Sequence, residues 1–84
     1  MEQAHYMPYP SEEQLKMTFA ASCIDSVAKV EHSTSEDAFF RMKRAGLIGG
    51  YILKYYDTLH TESRDHVTQE LVRMLKEREE QVNA

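Results

Sequence analysis

In the run Gly46-Leu47-Ile48-Gly49-Gly50-Tyr51-Ile52-Leu53-Lys54-Tyr55-Tyr56-Asp57-Thr58-Leu59-His60-Thr61, only Lys54, Asp57 and Thr58 interrupt the apolar and aromatic residues between Ile48 and Leu59, once the glycine pair is set aside. Spacings of three and four place Ile48, Tyr51, Ile52, Tyr55 and Leu59 on one helical face, with Leu53 and Tyr56 on its flanks. A helix that is apolar almost all round has to be covered by its neighbours. The run therefore predicts a central helix starting near Ile48 to Gly50. The fold class that follows is all-α, a compact bundle of about four helices wrapped around that central apolar helix.

The flanking sequence supplies the wrapping helices. Ser11-Glu12-Glu13-Gln14 fits a capping box, with Ser11 and Gln14 exchanging side-chain-to-backbone hydrogen bonds. The helix it opens should run to about Glu31, with Leu15, Phe19, Ala20, Cys23, Ile24, Val27 and Val30 inward and Glu12, Glu13, Lys16, Asp25 and Lys29 outward. Cys23 lies on the inward stripe with no second cysteine in the chain, so it reads as a packing thiol. A second helix starts at Ser33 with Glu36, or at Thr34 with Asp37, and turns Ala38, Phe39, Met42 and Ala45 to one side. Gly46 ends it, in the left-handed conformation that side chains disfavour. Gly49-Gly50 reads as a tight turn or a place where a neighbouring backbone packs close. The last helix is expected from about Arg64 to Gln81, with Val67, Leu71, Met74 and Leu75 inward, Val72 widening the stripe, and fraying from Glu79 to Ala84. Residues 1–10 hold two prolines and two tyrosines without apolar periodicity, and are read as an extended or disordered arm; residues 11–84 form the single helical domain.

An 84-residue chain buries only about 60% of its unfolded surface, so a partner or a second copy would add stability. No apolar run approaches the roughly 20 residues that span a bilayer, and the N-terminal residues lack a basic region followed by an apolar block. A cytoplasmic location is the expectation. Ten Lys and Arg against fourteen Asp and Glu leave a net charge of −4, which opposes attraction to phosphate backbones. Arg41, Lys43 and Arg44 make a small candidate basic surface, and a DNA-binding regulator using helices two and three is the alternative reading. Against it, the third helix offers Tyr, Ile, Leu and one Lys, where readers of base edges need exposed polar side chains.

Tyr56, Asp57, His60 and Thr61 concentrate the chain's most suggestive polar groups. Asp57 and His60 are adjacent at a spacing of three, which a metal could use, but no third ligand accompanies them even with His66 nearby. No metal and no cofactor are expected, and the lack of a nucleophile or cofactor motif speaks against an enzyme. The structural reading has His60 near a helix C-terminus meeting free carbonyls, Asp57 orienting it, and Thr61 or Ser63 capping the next helix.

With those residues in view, Phe39-Phe40-Arg41-Met42, Gly46, Tyr51-Ile52 and above all Tyr55-Tyr56-Asp57-Thr58-Leu59-His60-Thr61 resemble a family of small uncharacterised bacterial proteins, domain of unknown function 3791. The likeness runs over roughly residues 15–76. It departs at Glu62-Ser63, where a glycine-containing turn is expected, and at Gly49-Gly50. The resemblance implies company with ADP-ribosyltransferase-like toxins, and hence an antitoxin or regulatory role. Together with the acidic, helical composition, it leads to a non-enzymatic protein-interaction module whose partner-binding or structural corner is Tyr56, Asp57, His60 and Thr61.

Overall fold

The computed structural model describes residues 9–83, with side chains through Gln81. Of the predicted arm only Tyr9 and Pro10 fall within that range; the rest of it, and Ala84, lie outside the described residues. The elements are α1 (Glu12–Glu31), α2 (Ser35–Arg44), a π-helical turn (Ile48–Ile52), α3 (Tyr56–Leu59) and α4 (Arg64–Asn83). The fold is all-α, with no strand among the described residues. No described helix is long and apolar enough to cross a membrane.

Local chemistry sets the helix ends. The Ser11 hydroxyl accepts from the Gln14 amide at 3.1 Å and the Gln14 side chain accepts from the Ser11 amide at 3.0 Å, so both halves of the capping box are made. At the other end of α1, His32 takes φ 55°; its amide donates to Lys29 and the Ser33 amide donates to Ala28. This is a Schellman closure with histidine where glycine is usual. Of the two predicted caps for α2, Thr34 is the one used, accepting from the Asp37 amide at 3.0 Å. Gly46 follows α2 at φ 75°. Arg78 reaches over from α4 and donates to the Ala45 carbonyl at 2.8 Å, covering an acceptor the helix leaves open.

The predicted central helix is not continuous. The Leu53 amide donates to Ile48, five residues back, at 2.9 Å, and Tyr55 leaves helical geometry at φ −108°, ψ 26°. A five-residue hydrogen-bond step rotates everything after it off the 3.6-residue register, so the expected shared face splits. Ile52 and Leu59 are buried, Ile48 and Tyr51 are half-buried, and Tyr55 is 46% exposed. Side chains added at Gly49 or Gly50 would meet nothing within 4 Å, so these glycines do not serve close backbone packing. Their poor helix propensity is the local reason the segment is irregular.

The element that organises the packing is α1, which lies against both α2 and α4. Its inward face is Phe19, Ala20, Cys23, Ile24, Val27 and Ala28, while Leu15 and Val30, predicted on the stripe, are 43% and 53% exposed. Onto it pack Ala38 and Met42 from α2, Val67, Leu71 and Leu75 from α4, and Leu47, Ile52, Tyr56 and Leu59 from the irregular stretch. Met74 and Val72 are half-buried at the margin. Thr68 is buried with its hydroxyl donated to the Arg64 carbonyl at 2.7 Å, which removes the cost of an unpaired donor. The predicted fraying from Glu79 does not occur there: α4 continues to Asn83, held by an ion pair from Glu79 to α2.

Candidate functional site

The corner from Tyr56 to Thr61 is built by four-residue α3 and the turn after it. Tyr56 is buried, T-shaped to the Phe19 ring at 5.5 Å and stacked on the His60 ring at 4.5 Å and 7°. His60 Nδ1 lies 2.8 Å from the Tyr56 carbonyl. A carbonyl only accepts, so in the neutral ring Nδ1 carries the proton and Nε2 is left as an acceptor. The group that orients His60 is thus Tyr56, not Asp57 as predicted; the Asp57 side chain is exposed. Thr61 donates back to the Thr58 carbonyl at 2.7 Å, and Ser63 caps α4 by accepting from the His66 amide at 3.1 Å. Arg64 completes the corner with its guanidinium 5.2 Å from the Phe19 ring centroid.

Beside this corner is a surface that periodicity assigned to the core. The Tyr51 and Tyr55 rings sit 5.7 Å apart, and Lys54 Nζ lies 5.5 Å from the Tyr55 centroid. Burial, and then the carboxylates of Glu62 and Glu70, push the Tyr51 phenol above its ordinary range. Glu62, in the turn before α4, lies 3.4 Å from His66 Nε2, and on α4 itself Arg73 is 2.7 Å from Glu70 and 3.0 Å from Glu77. Hydrogen bonding from Arg73 holds the Glu70 carboxyl below the usual range. The result is a pair of tyrosines, Tyr51 half-buried and Tyr55 open, with Glu62, Glu70 and Arg73 close enough to Tyr51 to act on its phenol. The signal in the sequence was the glycine pair just before Tyr51, which marks where a regular face ends.

The candidate basic surface does not stay together. Arg41 turns inward and binds Glu79 through two hydrogen bonds of 2.8 Å, with Glu31 at 3.2 Å. These bonds raise the Arg41 pKa and hold Glu79 below the ordinary carboxyl range. Lys76 adds a contact to Glu31 at 3.5 Å. Only Lys43 and Arg44 remain on the outside of α2, Lys43 with its ammonium 5.9 Å from the Phe39 centroid. Among the described residues no three His, Cys, Asp or Glu side chains gather as a metal site requires. Burial pushes the Cys23 thiol up, which disfavours the reactive thiolate.

Residues 18–78 match the family described as "Protein of unknown function (DUF3791)". No curated protein and no solved structure matches the chain. Since the match spans most of its 84 residues, the chain belongs to the DUF3791 family.

Proposed function

We propose that this DUF3791 member is a non-enzymatic protein-interaction module that regulates a partner enzyme, in the manner of an antitoxin, by docking on it through the tyrosine surface. The supporting observation is Tyr55, a large aromatic side chain 46% exposed, with its ring 5.7 Å from that of half-buried Tyr51, on whose phenol Glu62, Glu70 and Arg73 act. Tyrosine, tryptophan and arginine are the side chains that most often anchor interfaces, and tyrosine offers a large area with only two torsions to freeze. Charged groups beside an aromatic centre also match the polar rim of such interfaces. The ADP-ribosyltransferase-like toxin as partner comes from the family resemblance alone.

Titration calorimetry of the purified chain against an ADP-ribosyltransferase-like toxin tests both parts. The expected result is a 1:1 complex that suppresses ADP-ribosyl transfer. Tyr55→Ala or Arg73→Ala should weaken it at least tenfold while leaving the melting temperature unchanged. Absence of a complex removes the toxin as partner; a complex indifferent to both variants removes the tyrosine surface.

A further inference from the structure

The outer face of α2 has a charge order that is its own complement. Glu36, Asp37, Phe40, Lys43 and Arg44 are all exposed, and Phe40, at 55%, is the large apolar side chain in their midst. Counted from Phe40 they stand at −4, −3, 0, +3 and +4, the spacings that share one helical face. At 1.5 Å per residue, the acids lie about 4.5–6 Å to one side of Phe40 and the bases the same distance to the other. None of the four charged groups forms an ion pair with another described residue. Phe39, half-buried and packed edge-on to Phe40 at 5.5 Å, gives the exposed ring a firm base. Acids at the start of a helix and bases at its end also suit the helix dipole, but the dipole gives no reason to hold a phenylalanine in water between them.

We propose that this face is a homodimer interface in which two copies of α2 pack antiparallel about a twofold axis through Phe40. Rotation by that axis sets Glu36 against the other copy's Arg44, Asp37 against its Lys43, and ring against ring. A two-fold contact has to use the same patch on both copies, which is the property this order of charges has. Parallel pairing would set acid on acid and base on base, so the charges choose the orientation. Arg41, the remaining cation of α2, takes no part because Glu31 and Glu79 hold it inward. Three turns of one helix cover far less than the roughly 800 Å² per partner of a standard stable interface, so the dimer is a weak one. The surface lies on α2, not on the irregular stretch that carries Tyr51 and Tyr55, and the inference does not depend on the toxin reading.

Sedimentation equilibrium of the full chain up to about 1 mM, at low and high salt, reads the dimer directly. The parent should dimerise, and less so at high salt. Glu36→Lys/Asp37→Lys and Lys43→Glu/Arg44→Glu should each raise the dissociation constant at least tenfold. Mixing the two charge-reversed chains should restore association as a heterodimer. Because both reversals oppose the helix dipole, helicity is checked for each by circular dichroism, and Phe40→Ala, which leaves the charges in place, should weaken the dimer at least tenfold by itself. A parent that stays monomeric at 1 mM, variants that dimerise as the parent does, or a mixture that fails to associate would each overturn the proposal.

Discussion

His32 ends α1 in the left-handed region, at φ 55°, where a β-carbon crowds the backbone and costs an L residue about 1–2 kcal/mol. The closure needs that conformation, because only from there do the His32 and Ser33 amides reach Lys29 and Ala28. Glycine adopts it without strain but loses more freedom on folding, which offsets roughly half to 1 kcal/mol of the relief. His32→Gly is therefore expected to raise stability by up to about 1 kcal/mol, or several degrees in melting temperature for a domain of this size. A thermal melt decides it. A lower melting temperature for the variant would mean that the imidazole of His32 makes a contact worth more than the strain. Gly46, at φ 75°, is the converse case: there the chain already has the residue that the conformation favours.

Arg41 joins three helices by holding Glu31 of α1 and Glu79 of α4 from α2, and its two 2.8 Å bonds to Glu79 depress that carboxyl. A carboxyl whose pKa is lowered on folding contributes stability that is present above its unfolded value, near 4.5, and that disappears as pH falls through the folded value. The urea midpoint of the parent should exceed that of Glu79→Gln near neutral pH, and the gap should close progressively below about pH 4.5. A gap that stays constant with pH would show that the ionised pair is not its source. Such ties between elements explain what could be read beforehand and what could not. Ser11 with Gln14, Thr34 with Asp37, and Gly46 mark helix ends through residues within a few positions of one another, so those boundaries were legible. Arg41 with Glu79 and Arg78 with the Ala45 carbonyl are separated by more than thirty residues and have no period. The break after Gly49-Gly50 was half legible: two glycines weaken a helix, but the change to a five-residue hydrogen-bond step cannot be seen in the order of side chains. That step moved Tyr55 from the expected core to the surface on which the proposed function rests.

The chain as a whole is acidic, with a net charge of −4, and its arginines are largely spent on itself. Arg41 is bound to Glu31 and Glu79, Arg73 to Glu70 and Glu77, Arg78 to the Ala45 carbonyl, and Arg64 lies over the Phe19 ring. A cation already paired with a carboxylate releases few counterions on meeting a phosphate, since it gives up one anion for another, and counterion release supplies most of non-specific affinity for duplexes. Of the basic cluster that suggested a DNA-binding regulator, Lys43 and Arg44 are left facing outward, and two phosphate contacts yield a salt slope of only about −1.8 in the logarithm of the binding constant. The stretch beyond α2 is poorly suited to a recognition helix, because α3 has only four residues and its exposed side chains are Thr58 and Asp57, an acid that repels phosphate. In a gel-shift titration at physiological salt, duplex DNA should therefore not be retained below about 100 μM protein, the weak end of non-specific binding. Lys43→Ala/Arg44→Ala should leave that result unchanged. Salt-sensitive retention at sub-micromolar protein, lost in the double variant, would instead make the outer face of α2 a phosphate-binding surface.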